Sequence, residues 1–377
     1  MSDIEYDFYT NHQLSLPKSY YIKKGLSGLI NTGNICYSNS ILHCLSHTLK
    51  LTDYFLSNKI KSDIFECNLK NKKEYTSILH FIRLLSNIWS ANELINPKFF
   101  NHYINNNLVK YNNTHQHDSY EYLLDLLNLL HTGLSYKVNV TISGDVQTDT
   151  DYLMKKSILY WKNEYENNYS EIISIFNGLT VNVIECNNNN CKYQSNVFFE
   201  SFNSFNIDIN INGSSTLTDC IDNFFNITII NDWKCEKCNN HESRNNSDQD
   251  KLSSGCTKKL NIWSLPNYLI IQLKRFDNNG NKIHNFVDFP IDELDLTKYI
   301  CPIKKDANNY IYSLYAVNYH GGNRHTGHYW SSVKSLDNIW YLFNDGNISR
   351  YHNNTDIKSQ LVTSDAYILF YHRKMIK

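Results

Sequence analysis

The 377-residue sequence predicts an α+β fold, and two regions of different character support that prediction. From Cys36 to about residue 135, apolar residues recur at intervals of three and four, which is typical of amphipathic helices. From Phe176 onward, segments rich in β-branched and aromatic residues are separated by clusters of Asn and Gly, which is typical of antiparallel strands. We therefore expect a helical region followed by a β-rich region.

Cys36 is the candidate nucleophile of the helical region. It follows two turns rich in Gly and Asn, and apolar residues recur with helical spacing over 41–49, so it lies at a predicted helix start. Unpaired N–H groups and the positive dipole end of that first turn favour a thiolate. Asn31 is the candidate side-chain amide for an oxyanion formed by attack on a carbonyl. Because many cysteines are inert core residues, spacing alone leaves both interpretations open.

A second helix is predicted from the segment QHDSYEYLLDLL, residues 116–127. Asp118 and Glu121 are three residues apart and share one face of this helix, while leucines form its buried stripe. On spacing alone, a capped helix with solvated acids is the favoured interpretation. A metal site at His115 and His117 is a less favoured interpretation still, because a pair of histidines without further ligands is common by chance.

The β-rich region is expected to begin after a mixed segment that includes a polar loop at 143–151. Residues 179–185, 197–209 and 227–230 are predicted antiparallel strands, and the apolar run after Pro266 is a predicted buried strand. The polar tract 239–254 is expected to be a flexible loop.

Four cysteines of the β-rich region are candidate ligands of a structural zinc: Cys186, Cys191, Cys235 and Cys238. The second pair has the standard CxxC spacing, whereas the first pair, CNNNNC, is longer. Four thiolates fill a tetrahedral shell and leave no open position for chemistry. Free thiols are the alternative.

A base and an orienting residue for Cys36 are available near the C-terminal end of the sequence. His328 opens a predicted strand, and Asn344 and Asp345 end another. Such an Asn or Asp can accept the imidazole N–H and fix the tautomer and ring angle of the histidine. His320 and His325 are rival histidines, and spacing does not decide among the three.

The overall composition disfavours several classes of protein. With 36 Lys and Arg against 37 Asp and Glu, the formal net charge of −1 selects neither nucleic acid nor acidic partners. The sequence shows no signal peptide and no apolar run of about eighteen residues, so no membrane span is expected. We therefore expect the ten cysteines to be reduced in an intracellular protein, cytoplasmic or nuclear.

Several stretches of the sequence resemble the boxes of the ubiquitin-specific proteases, a papain-like family of deubiquitinating enzymes. The cysteine box GLxNxGNxCYxNSxLQ resembles GLINTGNICYSNSIL, and the QQDAxEFL box resembles QHDSYEYL. The LPxxLxxxLKRF strand resembles LPNYLIIQLKRF, and the histidine box resembles YAVNYHGGNRHTGHYWSSV. This sequence departs from the family's cysteine box at two positions. Ile35 stands where the family usually has a small polar residue, and His43 stands where it usually has Gln. The similarity extends from about Leu26 to Arg373.

The resemblance implies one papain-like catalytic domain at 25–373, after a poorly specified lead-in at 1–24. A helical thumb would span about 25–135 and zinc-bearing fingers about 178–262, with a β-rich palm formed by the remainder. The implied activity is that of a cysteine-type ubiquitin carboxyl-terminal hydrolase, which cleaves the (iso)peptide bond after the last glycine of ubiquitin through a thioester. Ubiquitin and ubiquitinated proteins are the implied partners. We expect a monomer that needs no catalytic cofactor.

The resemblance also implies roles for single residues. His328 is the histidine of the GHY motif, Asn344 orients it, and Asp345 assists at the oxyanion or the histidine. In the QQDAxEFL box, the acids line the groove that receives the basic ubiquitin tail.

That groove makes Asp118 and Glu121 candidate tail-binding residues, with Gln116 nearby. The zinc-bearing fingers of the family correspond to the four cysteines named above, although the first pair of the family is usually CxxC.

Three functions are compared. The filled catalytic positions favour an active deubiquitinase over a catalytically silent ubiquitin-binding scaffold of the same fold, although Ile35 and His43 leave the scaffold open. A zinc-ribbon protein that binds nucleic acid is disfavoured, because the sequence lacks clustered Lys and Arg.

Overall fold

A computed structural model describes residues 14–67, 72–188, 194–235, 255–304, 310–323, 326–351 and 356–374. Within these ranges, helices dominate the first part of the chain and strands the second. The α+β class predicted from the sequence is therefore confirmed. The predicted loop at 239–254 lies outside the described residues. None of the helices in the described ranges has the length and apolar character that a membrane crossing requires.

The helices pack around a central helix, α1, whose residues are all buried. In chain order the helices are α1 (Cys36–Ser46), α2 (Leu49–Leu56), α3 (Lys59–Glu66), α4 (Tyr75–Ile88), α5 (Lys98–Asn107), α6 (Ser119–Leu134), α7 (Asp149–Tyr165), α8 (Glu171–Phe176), α9 (Leu217–Phe224) and α10 (Ile357–Leu361). Helix α7 begins inside the segment expected to be a loop, because Thr148 and Asp151 form a capping box there.

The strands form two larger sheets and one short parallel pair. In chain order they are β1 (Gly178–Cys186), β2 (Gln194–Phe202), β3 (Phe205–Asp208), β4 (Ser215–Thr216), β5 (Thr228–Ile230), β6 (Cys256–Ser264), β7 (Tyr268–Lys274), β8 (Val287–Asp288), β9 (Leu294–Asp295), β10 (Ile311–Gly322), β11 (Gly327–Lys334), β12 (Trp340–Asn344), β13 (Asn347–Arg350) and β14 (Ala366–Arg373).

The small sheet has the strand order β2-β1-β6-β5, and the large sheet has the order β13-β12-β11-β10-β14-β7-β3, with β9 paired to β10. The segment 197–209, predicted as a single antiparallel strand, is divided between these two sheets. The division lies at Asn203 and Ser204, and the rings of Phe202 and Phe205 on either side stack with centroids 4.4 Å apart. Because β3 pairs parallel with β7, the antiparallel prediction is wrong for this part.

Residues 14–24 are fixed to the helical region. Tyr21 is buried with 1% of its surface exposed, its ring packs edge-on against Trp89, and its hydroxyl donates to Asp53 at 2.8 Å. The N–H groups of Ser15 and Leu16 donate to the same carboxylate at 2.8 and 2.9 Å. This part of the lead-in is therefore more firmly held than its sequence indicated.

One hydrophobic core joins the helices to the large sheet. It contains Leu29, the apolar residues of α1, and residues of β10, β11, β12 and β14 such as Tyr315, Tyr329, Phe343 and Phe370. Helix α1 packs against β11. As a result, the start of α1 faces the end of the large sheet where β11 begins and β12 ends.

Candidate active site

Cys36 is the first residue of α1, as the sequence predicted, and 2% of its surface is exposed. The turn before it depends on two residues in the left-handed region, Gly33 with φ 135° and Asn34 with φ 52°. Glycine and asparagine tolerate this region better than other residues. The turn is fastened by Asn34, whose Nδ2 donates to the Thr114 carbonyl at 2.8 Å.

His328, in β11, bonds to both of its predicted partners. Its Nε2 lies 2.6 Å from Asn344 Oδ1, at the end of β12. The hydrogen bond to Cys36 is the main cause that raises the pKa of His328 from 6.5 to about 9, with the Asn344 bond adding to it and burial opposing it. This arrangement favours the protonated form of the His328 imidazole.

Asp345 holds two asparagine amides next to Cys36. Its Oδ2 accepts from Asn31 Nδ2 at 3.1 Å and its Oδ1 accepts from Asn39 Nδ2 at 2.8 Å. The Asn31 Oδ1 in turn accepts from the N–H groups of Gly33 and Ile35 at 3.1 and 3.3 Å. The Asn31 side chain is therefore fixed at both ends, with one N–H still available.

The loop before Cys36 and the turn after Asn344 are in direct contact. The Leu29 N–H donates to the Asp345 carbonyl at 3.0 Å. A Cβ added at Gly28 would overlap the Gly346 carbonyl, so the close approach requires glycine. Asp345 itself has a φ of 50°, a left-handed conformation that Asp tolerates better than most residues.

Residues 27–371 match the family model described as ubiquitin carboxyl-terminal hydrolase. The chain belongs to this family. The resemblance predicted from the sequence boxes is thereby confirmed.

Curated relatives in this family cover most of the chain. Ubiquitin carboxyl-terminal hydrolase 2 of Bos taurus is 30% identical over 357 residues, which are 92% of this chain and 55% of that protein. The Gallus gallus protein of the same description is 31% identical over 368 residues, 94% of this chain and 95% of that protein. The chain spans about half the length of the first of these relatives.

The fold of the ubiquitin carboxyl-terminal hydrolases is also found in solved structures. A chain of the SAGA DUB module bound to ubiquitin aldehyde superposes with a TM-score of 0.68 at 23% identity, covering 94% of this chain and 71% of that chain. The structure of a yeast SAGA DUB module gives 0.67 at 21% identity, with 98% and 74% covered. At these identities the likeness shows the fold, which agrees with the predicted α+β papain-like class.

The rival histidines of the family's histidine box differ in their surroundings. His320 is buried, and burial lowers its pKa to about 4. Its ring packs against Phe276 and Tyr329. His325 lies outside the described residues. Among the histidines that the structure describes here, the one that bonds to Cys36 is His328.

Gln116 contacts the first residue of the histidine strand. Its Nε2 donates to the Gly327 carbonyl at 2.7 Å, and its Oε1 accepts from the Gly327 N–H at 3.0 Å. The side chain lines two clefts of about 630 Å³ each. One lies in front of His328 and the other extends along Asp118 and Glu121.

Asp118 and Glu121 both line the second cleft, with different partners. Asp118 caps α6: its Oδ1 accepts from the N–H groups of Tyr120 and Glu121 at 2.8 and 3.0 Å, and its Oδ2 accepts from the Tyr367 hydroxyl at 2.7 Å. Burial raises the pKa of the Asp118 carboxyl. Glu121 is exposed and pairs with Lys110 at 2.8 Å. The capped helix expected from spacing is thus present, with both acids facing the cleft.

His43, one of the two departures from the cysteine box, is buried within α1 behind the site. Its ring centroid lies 4.3 Å from that of Phe343, the residue before Asn344. Burial lowers its pKa to about 3, so the ring is neutral. The other departure, Ile35, is the N-cap residue of α1, and its side chain makes no capping bond.

The candidate zinc ligands are described in part. Cys191 and Cys238 lie outside the described residues. Cys186 ends β1, and Cys235 follows β5; both are buried. Strand β6 pairs with both strands, Cys256 lying opposite Cys186 on one side and opposite Ile230 on the other, so the two predicted knuckles start from one end of the small sheet. Within the described ranges, no three His, Cys, Asp or Glu side chains are grouped so that they could hold a metal ion.

Sequence reasoning missed Asn39 and Tyr367. Asn39 occupies the middle of a fully buried helix, and its Nδ2 also donates to the Leu29 carbonyl at 3.2 Å. A buried asparagine requires hydrogen-bond partners, so its position on the apolar helix was the available signal. Tyr367 gave no comparable signal, because its partner Asp118 lies 249 residues earlier in the chain.

Proposed function

We propose that this chain is a cysteine deubiquitinase that hydrolyses the bond after the C-terminal glycine of ubiquitin. The single observation that carries the proposal is the bonded series Cys36, His328 and Asn344, next to an acid-lined cleft. Family membership supports the reaction class. The solved relative bound to ubiquitin aldehyde supports the substrate.

In the first step, the Cys36 sulfur attacks the carbonyl carbon of the terminal glycine while His328 holds the thiol proton. Asn344 accepts the other imidazole N–H and keeps the ring in its orientation. The negative charge that develops on the carbonyl oxygen meets the free N–H of the Asn31 amide, the other N–H being held by Asp345. Because Asn31 is fixed before substrate arrives, little reorganisation is needed.

In the second step, His328 protonates the departing amine, and the carbon–nitrogen bond breaks to leave a thioester on Cys36. A water molecule then gives a proton to His328 and attacks the thioester carbonyl. The carbon–sulfur bond breaks, ubiquitin leaves with a free carboxylate, and Cys36 is restored.

The cleft along Asp118 and Glu121 is the proposed path of the basic ubiquitin tail. Both carboxylates face it, and Asp118 is held rigidly by two backbone N–H groups and the Tyr367 hydroxyl. A basic side chain placed here would gain charge-assisted hydrogen bonds. Glu121 would exchange Lys110 for the tail.

A structural zinc is proposed at the end of the small sheet, held by Cys186, Cys191, Cys235 and Cys238. Thiolate ligands suit zinc, and the β1–β6 and β5–β6 ladders support a shared site by bringing the starts of both knuckles side by side. The metal would fasten the strand ends and take no part in the reaction.

The alternative is a ubiquitin-binding scaffold without activity. Turnover of a ubiquitin conjugate with a fluorogenic C-terminal amide separates the two. We expect hydrolysis by the unmodified chain, none by Cys36→Ala, and retained hydrolysis by the matched control Cys44→Ala, which removes another buried thiol of the same helix. An unmodified chain that binds ubiquitin and hydrolyses no conjugate would identify the scaffold.

A further inference from the structure

Gln116 separates the two clefts of the site, because its side chain lines both of them. Both polar atoms of its amide are bonded to Gly327, at 2.7 and 3.0 Å. The amide orientation is determined by these partners: exchanging the two atoms would place oxygen against oxygen and N–H against N–H. The side chain therefore bonds to both peptide groups that flank the Cα atom of Gly327.

Gly327 is also confined by His320. A Cβ at this position would overlap Nε2 of His320, so the backbone lies directly on that imidazole. The His320 ring is itself buried and packs against Tyr329 and Phe276, with centroids 4.6 and 5.6 Å away. Gly327 is thus held between Gln116 and a rigid aromatic cluster.

His328 directly follows Gly327 in the chain. Strand β11 starts at Gly327, which pairs with Gly322 of β10. At His328 the ladder partner is β10, because the pairing of β11 with β12 begins only at Ser331. The start of the strand is also held by Gln116, which lies just before α6 in the chain. A shift of about 1 Å in a catalytic group can cost about a hundredfold in rate. The position of His328 relative to Cys36 therefore depends on this contact.

We propose that Gln116 is a positioning residue that holds His328 in reach of Cys36, a proposal that rests on the function proposed above. The tail-binding role predicted for Gln116 is a separate hypothesis, and it predicts different effects of substitution on substrate binding and on Cys36. Loss of a tail contact weakens substrate binding alone, whereas loss of the Gly327 grip changes the pairing of His328 with Cys36 whether or not ubiquitin is bound.

The experiment uses the full chain and replaces Gln116 by Met, which has a similar length and no hydrogen-bonding amide. The matched control is Gln147→Met, an exposed glutamine in the loop before α7 that lines neither cleft. Two rates are measured: alkylation of Cys36 by iodoacetamide between pH 6 and 9, followed by mass spectrometry of its peptide, and hydrolysis of the fluorogenic ubiquitin amide. Thermal unfolding checks the fold of each variant.

For Gln116→Met we expect Cys36 alkylation at pH 6.5 and kcat to fall roughly ten- to a hundredfold with KM unchanged. Gln147→Met should match the unmodified chain in both. A raised KM with unchanged alkylation and kcat would overturn the proposal and leave a tail-binding role. Unchanged kinetics, or a Gln116→Met chain that no longer folds, would overturn it too. If the unmodified chain hydrolyses no ubiquitin conjugate but Gln116→Met still slows alkylation, the proposed function fails and the positioning role stands.

Discussion

The imidazole of His328 is acted on by opposing influences. Hydrogen bonds to Cys36 and Asn344 favour its charged form, whereas burial favours the neutral form, and the bonds prevail to give a pKa of about 9. Because folding raises this pKa, the charged ring stabilises the folded state. That contribution is fully present below pH 6.5, the ordinary pKa of histidine, and is lost as pH rises through about 9. At neutral pH the proton needed by the leaving amine is already present.

Cleavage of a lysine-linked diubiquitin should accordingly decline above about pH 9, as His328 loses its proton. Asn344→Ala removes a bond that raises this pKa, so the decline should begin at lower pH, along with a reduced maximum rate. The pH dependence of kcat/KM for the two proteins measures the difference. An unchanged alkaline limit in Asn344→Ala would contradict the assignment of Asn344.

The Asp345 carboxylate can be tested without disturbing its turn. Asp345→Asn keeps a side chain that tolerates the φ of 50°. It replaces one acceptor oxygen by an NH₂ group, which would face the donor amide of either Asn31 or Asn39. We expect kcat to fall by about a hundredfold and KM to remain unchanged, because the oxyanion donor is displaced. Asp356→Asn, at the cap of α10, is the matched control and should behave as the unmodified chain. Equal kcat values for both variants would remove Asp345 from the site.

At the scale of elements, the cap of α6 and the proposed recognition of a basic tail depend on one carboxylate, that of Asp118. Asp118 closes the first turn of the helix and also bonds to Tyr367 of β14. Capping needs an acceptor oxygen, and recognition of a basic tail needs the charge. The two roles therefore respond differently to substitution.

Asp118→Asn should keep the cap and lose the charge, so thermal stability is retained while KM for the ubiquitin substrate rises. Asp118→Ala should lose both, with about 1 kcal/mol of unfolding free energy removed for the cap. Urea denaturation and steady-state kinetics on the pair measure the two effects. Equal KM values for Asp118→Asn and the unmodified chain would mean that Asp118 is a cap and no more.

The small sheet gives a second test at this scale. If zinc joins the knuckles, the purified chain contains one zinc per molecule, and Cys235→Ser loses the metal and unfolds at a lower temperature. Cys220→Ser, a buried thiol of α9, keeps the zinc. Metal analysis that finds no zinc in the unmodified chain would favour free thiols.

At the scale of the molecule, the first described residues are tied to the helical region by Asp53, which accepts from Tyr21, Ser15 and Leu16. Tyr21→Phe removes one donor from this carboxylate and keeps the ring against Trp89. We expect a loss of about 1.5–3 kcal/mol in the free energy of unfolding, measured in urea. Tyr75→Phe, a half-buried tyrosine at the start of α4, is the control; an equal effect in both variants would argue against a special role for the Asp53 cluster.

The sequence predicted those features that depend on neighbours in the chain. Cys36 at a helix start, a capped helix at 116–127 and His328 at a strand start follow from local spacing and from the family boxes. The pairing of Cys36 with His328 was predicted through the family boxes, whereas the other contacts between distant segments were not, because no local pattern encodes them. Asn39 bonds to a carboxylate 306 residues away, and Gln116 grips a glycine 211 residues away. For the same reason, the sequence predicts one continuous strand across Asn203, where the chain changes sheets.

Asp345 and Asn31 meet across 314 residues of intervening chain. During synthesis on a ribosome, Cys36 emerges long before the hairpin that carries Asn344 and Asp345. A nascent chain therefore exposes the Cys36 thiol before Asn344 and Asp345 have been synthesised. The proposed catalytic group can assemble only after translation has passed that hairpin.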